Sequence, residues 1–224
     1  MVRVNDCMKI VKISDTDICS SQFREAVQSA VHMLQRGGVI IYPTDTVYGI
    51  GVDATQALAM DRLFEIKHRN AEKPVSLLIS DSTMVKNYAE IIPAYYSSLL
   101  KKYWPGPLTA VFKAKKDINP LLTGGKETIG FRVPNHPFCT ALVQEYKKPI
   151  TSTSANLSGE KECVDVSQIS PEIINAVDLI IDGGEIAGGV SSTVVLCDDK
   201  FPKILREGAI SRQEIEKFIK IKIQ

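Results

Sequence analysis

A compact stretch of the chain combines hydroxyl side chains with nearby cations. An apolar run ends at Pro43, which lacks the N–H that a central strand needs, and the residues 44–48 (TDTVY) follow it. A helix is predicted next, with Lys67 and Arg69 at its end and Lys73 just beyond. Hydroxyls at a strand exit and cations at a helix exit suit a small polar ligand joined to a phosphate-bearing one.

The three cations have two interpretations. Charge-assisted hydrogen bonds to phosphate are roughly twice as strong as neutral ones, so Lys67, Arg69 and Lys73 could converge on a triphosphate. A solvated basic helix end is the alternative, because cations are favourable near a helix C-terminus. Spacing alone leaves both interpretations open.

Three further segments could bind ligands. Arg132 stands at the end of a predicted strand, where its planar guanidinium suits a carboxylate, although an exposed ion pair is the alternative. The small polar segment 151–156 (TSTSAN) could cradle an anion or a nucleotide, or form a Ser/Thr-rich turn. Glycines in segment 183–193 would let backbone approach a ligand, or mark a flexible surface loop.

Several chemistries are not favoured by these patterns. The sequence contains neither a Walker A motif nor a GxGxxG fingerprint, and no Ser/His/Asp arrangement indicates nucleophilic catalysis. The five cysteines are scattered without a CxxC pair, which predicts free thiols in a reducing compartment and no metal site. We found no apolar run of transmembrane length and no secretory signal, so we expect a cytoplasmic protein with no membrane partner.

Composition predicts an ordinary globular protein. The chain has 224 residues, 44% of them hydrophobic and 24% charged, with a formal net charge of +1. This length predicts a single domain over residues 1–224 with a sizeable core. The near-neutral charge does not by itself indicate nucleic-acid binding, although local groups such as Lys113, Lys115 and Lys116 could form an RNA-facing patch or a solvated strand end.

The elements that must position these residues alternate between strands and helices. This alternation predicts a three-layer α/β fold, and connections too short for a helix predict a mixed sheet. Ser20 or Ser21, Thr55, Pro93, Pro137 and Ser211 are predicted to begin helices, the last with Ile215, Phe218 and Ile219 facing inward. Strands are predicted at 8–13, 39–42, 75–79, 108–113, 128–133, 149–153, 178–181, 193–197 and 203–205.

Six motifs in order resemble the YrdC family of threonylcarbamoyl-AMP synthases. PTDTVYGIG, starting at Pro43, is similar to the family's PT(D/E)TVYGLG signature, and Lys67-His68-Arg69 with Ser154-Ala155-Asn156 is similar to its KxR and SxN set. WPGPLT, GFRVPNHP and SSTVV also resemble family segments, so the likeness covers about residues 39–206. It implies a twisted mixed sheet with flanking helices and a concave, positively charged surface, in the short, single-domain form.

The family's reaction is implied by this resemblance. These nucleotidyltransferases make threonylcarbamoyl-AMP and pyrophosphate from L-threonine, bicarbonate and ATP, with Mg²⁺ accompanying the ATP. The product would pass to a downstream threonylcarbamoyl-transfer complex that modifies tRNA, and contact with tRNA itself is a possible addition.

Site residues follow from the resemblance position by position. Lys67 and Arg69 would be catalytic and would hold the ATP phosphates together with Lys73. The L-threonine contacts would be Thr46, Arg132, Ser152 and Ser192. The remaining nucleotide contacts would be Thr128, Ser154, Asn156 and Arg206. The chain departs from the pattern at His68, where a small or polar residue is common, and at Leu78, where some relatives carry a threonine-binding histidine.

Two rival functions remain at this point. A non-catalytic, RNA-binding or ribosome-associated relative of the same fold would use the basic residues to meet RNA phosphates, with binding that falls steeply with salt. A paralogous enzyme could use the same site for another small acyl substrate.

Overall fold

Ten strands form one sheet in the computed structural model, which describes residues 9–14, 17–198 and 202–220. Met8 of the predicted first strand, and Cys7, lie outside these residues. The strands are β1 (Lys9–Lys12), β2 (Ile40–Tyr42), β3 (Gly49–Gly51), β4 (Ser76–Leu78), β5 (Leu108–Lys113), β6 (Thr128–Arg132), β7 (Ile150–Ser154), β8 (Leu179–Asp182), β9 (Thr193–Leu196) and β10 (Lys203–Arg206).

The sheet is mixed, as predicted. Its strand order is β1-β8-β2-β3-β7-β4-β6-β5-β9-β10. The pairs β1–β8, β8–β2, β4–β6 and β5–β9 are parallel, and the other pairs are antiparallel. The short link from β9 to β10 makes an antiparallel pair because no crossover helix fits between them.

Helices pack on both faces of the sheet, which confirms the three-layer prediction. They are α1 (Ser21–Gln35), α2 (Ala57–Ile66), α3 (Ser97–Tyr103), α4 (Pro120–Thr123), α5 (Pro137–Tyr146), α6 (Pro171–Ala176) and α7 (Arg212–Ile219). Apolar residues of α1 and α5 form one buried cluster with the first half of the sheet. The other helices pack into a larger cluster on the opposite face.

Part of the face that carries α1 and α5 is left uncovered. On β4, Leu78 packs into the cluster under these helices, while Ser76, two residues earlier on the same face, lines an open cavity. Leu77 points to the opposite face and joins the larger cluster. The α1–α5 layer therefore ends near β4, and the strands beyond it present this face to solvent.

Strong local signals gave correct elements, and tertiary contacts explain the errors. Ser20 caps α1 and Ser211 caps α7 through hydrogen bonds from backbone N–H groups, as predicted. The prediction that Thr55 caps α2 is wrong, because its hydroxyl donates to Asp53 at 2.7 Å and Gln56 stands at the cap. Phe218 is 36% exposed, although it was predicted to face inward.

Strand β3 was not predicted at all. Its sequence Gly49-Ile50-Gly51 has low strand propensity, because glycine loses the most conformational freedom on ordering. A Cβ at Gly51 would lie 2.1 Å from the carbonyl oxygen of Thr151, so the close approach of β7 requires glycine there. This pairing carries Ser152 and Ser154 to the cavity.

Candidate functional site

A cavity of about 390 Å³ lies on the uncovered face of the sheet. Its floor consists of alternate residues of adjacent strands, because side chains two apart share a face. Thr109 and Val111 come from β5, and Thr128, Gly130 and Arg132 come from β6. The intervening side chains of both strands point into the larger hydrophobic cluster.

The cavity has a strongly positive lining although the chain is nearly neutral. Hydroxyl side chains form much of the wall, and four cations join them: Arg69, Lys126, Arg132 and Arg206. Among the described residues, none of those that line the cavity carries a carboxylate. The site therefore suits an anion of high charge.

One end of the cavity is built from the turn between β2 and β3. The hydroxyl of Thr44 accepts the N–H groups of Thr46 and Val47 at 3.1 and 3.2 Å and donates to the Val47 carbonyl at 2.7 Å. This local network fixes the turn in the way that Ser/Thr turns do. It places the Thr46 hydroxyl 2.9 Å from Nη1 of Arg132.

Arg132 is held on three sides at this end. Its Nη2 donates to Asp45 at 2.7 Å and its Nε donates to the Gly106 carbonyl at 3.2 Å, in addition to the bond to Thr46. The side chains of Arg132 and Asp45 are only 7% and 13% exposed. A guanidinium has five N–H donors, so two remain for a ligand that enters the cavity.

The other end of the cavity carries two arginines that repel each other. Nη2 of Arg69 donates to the Pro74 carbonyl at 2.8 Å, and the guanidinium lies 5.9 Å from the centre of the Phe64 ring. Burial and the positive charge of Arg206 lower the pKa of Arg69, and burial likewise lowers the pKa of Arg206. A polyanion between these groups would relieve the repulsion.

Arg206 is also tied to the polar segment before β9. Its Nη2 donates to the Ser192 carbonyl at 2.8 Å, and the Ser192 hydroxyl lies 2.8 Å from the Thr109 hydroxyl. The neighbouring Ser191 hydroxyl donates to Glu162. These bonds connect β5, β9 and β10 at the cavity wall.

Lys67 lies behind the cavity wall and does not line it. The residue is 1% exposed, and its Nζ donates to the backbone carbonyls of Ser154 and, at 2.5 Å, of Asn156. Burial, followed by the charge of Arg69, lowers the pKa of Lys67 to about 7. The residue therefore fixes the backbone that follows β7.

Most predicted site residues meet at the cavity, and three do not. The predicted residues in the lining are Thr46, Arg69, Thr128, Arg132, Ser152, Ser154, Ser192 and Arg206. Lys73 is exposed outside it, and Asn156 is buried behind it with its amide nitrogen donating to the carbonyls of Leu157 and Glu160. Lys67 is the third.

The two departures from the sequence pattern have clear structural places. His68 adopts a left-handed backbone conformation, with φ of 47°, and its exposed ring lies 2.9 Å from Glu172, away from the cavity. Leu78 is fully buried among apolar residues and does not line the cavity. Neither side chain contributes to this site.

Lys126 is a lining residue that the sequence motifs did not indicate. It alternates with Thr128, Gly130 and Arg132, and this two-residue period is the signal that could have identified it. The signal becomes usable only when the face of β6 that opens to the cavity is known.

The fold and the site together define an α/β protein with a cationic cavity on the open face of a mixed sheet. The family model for Sua5, YciO and YrdC proteins, described as telomere recombination, matches residues 32–208. The chain therefore belongs to the Sua5/YciO/YrdC family.

Individual relatives agree with this assignment. The chain is 35% identical to the threonylcarbamoyl-AMP synthase of Bacillus subtilis (strain 168), over 91% of this chain and 59% of that protein. It is also 35% identical to the threonylcarbamoyl-AMP synthase of Vibrio vulnificus (strain YJ016), over 81% of this chain and 98% of that one. The chain thus spans about three fifths of the Bacillus relative and nearly all of the Vibrio relative.

Solved structures show the same architecture. Pyrococcus abyssi Sua5, in a complex with L-threonine, superposes with a TM-score of 0.85 at 32% identity, over 97% of this chain and 62% of that one. Escherichia coli YciO superposes with a TM-score of 0.75 at 28% identity, over 90% of this chain and 96% of that one. Among the described residues, no helix combines the length and apolar character needed to cross a membrane.

Proposed function

We propose that this chain is an L-threonylcarbamoyladenylate synthase, which makes threonylcarbamoyl-AMP and pyrophosphate from L-threonine, bicarbonate and ATP. The observation that carries the proposal is the cavity itself. It joins the polar end, at Thr46 and Arg132, to the cationic end, at Arg69 and Arg206, and has no carboxylate among its described lining residues. The relatives named above as threonylcarbamoyl-AMP synthases, and the Sua5 complex with L-threonine, support the choice of substrates.

The polar end is proposed to bind L-threonine. Arg132 would pair with the carboxylate of threonine or of its carbamate through the N–H groups that Asp45 and Thr46 leave available. The hydroxyls of Thr46, Ser152 and Ser192 would provide further polar contacts. A carboxylate at this position would add to a network that is already oriented, so little conformational freedom would be lost on binding.

The cationic end is proposed to bind ATP. Arg69 and Arg206 would hold the phosphates, and Thr128 and Ser154 would add hydroxyl contacts. Val111, Val194 and Leu205 form an apolar strip of the same wall that suits a nucleobase. Lys73 would have to extend from the surface to join the phosphates.

Lys67 and Asn156 are proposed to act through the backbone that they hold. Lys67 binds two carbonyls of the segment after β7, and Asn156 closes the turn that follows. Both residues would thereby keep Ser154 oriented toward the nucleotide. Lys67 is accordingly a positioning residue in this proposal, rather than the catalytic residue predicted from the sequence.

The reaction needs positioning and charge more than a protein nucleophile. The threonine amine and bicarbonate form a carbamate and release water. A carbamate oxygen then attacks the α-phosphorus of ATP, the bond from that phosphorus to the bridging oxygen breaks, and pyrophosphate leaves. Arg69 and Arg206 would stabilise the charge that develops on pyrophosphate.

Magnesium is proposed to arrive with ATP. The lining residues offer hydroxyl oxygens without carboxylates, and no group of three or more His, Cys, Asp or Glu within the described residues could hold a metal ion. This donor set fits a metal bound mainly by phosphate oxygens and water, which is the usual state of Mg²⁺ in such sites. When bound, Mg²⁺ would neutralise phosphate charge.

The product implies further partners. Threonylcarbamoyl-AMP is a mixed anhydride that water destroys, so we propose a downstream complex that transfers the threonylcarbamoyl group to tRNA, and a contact between this chain and tRNA. A cytoplasmic location would fit the four free cysteines of the described residues.

The proposal is tested by pyrophosphate release with Arg69→Ala. We expect the wild-type protein to release pyrophosphate only when threonine and bicarbonate are both present, and Arg69→Ala to lose most of this activity with an unchanged circular dichroism spectrum. Arg24→Ala, at an exposed position of α1, is the matched control. Unchanged turnover in Arg69→Ala would exclude the phosphate role, and activity without threonine would indicate another substrate.

A further inference from the structure

We propose that Lys126 is a further substrate-binding residue of this site, whose ammonium group contacts the outer phosphates of ATP at the mouth of the cavity. This inference rests on the proposed function, because it takes ATP as the ligand of the cationic end. Lys126 lies outside the sequence motifs that carry the resemblance to the family.

Lys126, in the bend just before β6, lies on the side of the sheet that faces the cavity. Lys126 stands two residues before Thr128, the first residue of β6, and shares its alternation with Gly130 and Arg132. All four residues line the cavity. Lys126 is exposed, whereas Arg132 is buried at the opposite end of the same row, so the row runs from the mouth of the cavity to its polar end.

Backbone contacts bring the segment before Lys126 to the loop that Arg69 binds. The segment before Lys126 packs so tightly on residues 72–74 that a Cβ at Gly124 would lie 2.4 Å from the Glu72 carbonyl oxygen. Arg69 binds the same segment, since its Nη2 donates to the Pro74 carbonyl at 2.8 Å. The segment before Lys126 and the Arg69 side chain therefore contact the same stretch of backbone, and both cations line one cavity.

The charge of Lys126 is available to a ligand. Within the described part of the chain, its side chain forms no ion pair and no hydrogen bond, whereas Lys113 pairs with Glu90 and Lys148 with Asp53. Asp45 already balances the charge of Arg132. Without Lys126, the described lining residues of the cationic end carry two positive charges, those of Arg69 and Arg206, and Lys126 would add a third for the phosphates of MgATP.

The test compares Lys126→Ala and Lys126→Arg with Lys102→Ala, an exposed lysine of α3 that serves as the control. MgATP binding is measured by calorimetry, and KM values for ATP and threonine are measured by pyrophosphate release. We expect Lys126→Ala to weaken MgATP binding roughly three- to tenfold, because the contact is a charge-assisted bond at an exposed site. We expect the KM for threonine to stay unchanged and Lys126→Arg to retain most of the affinity.

The outcomes separate this inference from the proposed function. MgATP affinity in Lys126→Ala equal to that of Lys102→Ala would overturn the role of Lys126, whatever the turnover. An equal rise in both KM values would also overturn it, since that result indicates a general loss of structure. If wild-type protein bound MgATP without threonine-dependent turnover, the proposed reaction would fail while the binding comparison still decided the role of Lys126.

Discussion

The buried pair between Asp45 and Arg132 controls the polar end of the cavity. Removing one member of a buried pair costs about 3–5 kcal/mol, because the other charge is left uncompensated. We therefore expect Asp45→Asn to lower the free energy of unfolding and to raise the KM for threonine more than the KM for ATP. Urea unfolding and steady-state kinetics measure these effects.

The control for this prediction is Asp61→Asn, which removes a carboxylate from an exposed position of α2. Asp61→Asn should leave the free energy of unfolding and the KM values for threonine and ATP unchanged. Equal KM values for threonine in Asp45→Asn and wild type would contradict the role of Asp45 in orienting Arg132.

Lys67 gives a prediction about pH. Its pKa is lowered from an ordinary value of 10.5 to about 7. At pH values between about 7 and 10.5, Lys67 is therefore protonated in the unfolded chain and neutral in the folded chain. Unfolding free energy rises with pH wherever the unfolded state binds more protons. The unfolding free energy of the wild type minus that of Lys67→Met should therefore increase as pH rises from about 7 toward 10.5.

The measurement is chemical denaturation of both proteins over this pH range. Lys67→Met keeps a long side chain but cannot titrate, so groups common to both proteins cancel in the difference. A difference that stays flat or falls with rising pH would show that Lys67 remains charged in the folded state.

Individual residues show which part of the site sequence reasoning can reach. Arg69 and Ser154 were predicted from motifs, and both line the cavity. The motif containing Lys67 was recognised too, but no spacing rule distinguishes a lysine that reaches a ligand from one that turns inward to backbone carbonyls. Lys126 was missed because its place depends on which face of β6 is open.

Among the elements, the glycine-rich loop at residues 183–192 borders the polar end of the cavity. It packs on the turn between β2 and β3, where the N–H of Gly189 donates to the Thr46 carbonyl at 2.8 Å. The Tyr48 hydroxyl donates to the Gly184 carbonyl at 2.7 Å, which ties the start of the loop to the residue before β3. A Cβ at Gly188 would lie 2.7 Å from the Asp45 carbonyl oxygen.

Gly188→Ala should separate this loop from the turn. Overpacking of this kind costs about 1–3 kcal/mol. We expect a lower melting temperature and a raised KM for threonine, with a smaller effect on ATP binding because Arg69 and Lys126 lie on other elements. Val190→Ala, at an exposed position of the same loop, should resemble wild type. A threonine KM that is unaffected by Gly188→Ala would show that the loop does not position Thr46.

Elements with strong local signals could be predicted, and those made by tertiary contact could not. The strand at 108–113 was predicted with the bounds found, and the helix at Pro137 was predicted at its first residue, since an apolar strand run and an N-terminal proline mark them. Strand β3 forms because its glycine-rich segment pairs with β2 on one side and β7 on the other. Tyr42 of β2 and Thr151 of β7 approach its glycines closely. Helix α4 is a single turn and was also missed.

At the scale of the whole molecule, the asymmetry of the layers creates the site. Helices α1 and α5 cover one half of a sheet face, and the exposed half collects cations from β6, β10 and the loop after α2. Although the formal net charge is only +1, the cavity has a local positive field. This field would attract anionic ligands more strongly at low ionic strength. The mixed sheet could be predicted from connection lengths, but the extent of helix coverage could not.

The most direct test of the proposed reaction is product analysis with labelled bicarbonate. The protein is mixed with ATP, Mg²⁺, L-threonine and labelled bicarbonate, and the products are separated and identified. We predict that label enters an adenylate, with release of pyrophosphate, and that this adenylate is absent when threonine is omitted. Failure to find a labelled adenylate, or label that enters one without threonine, would contradict the synthase function.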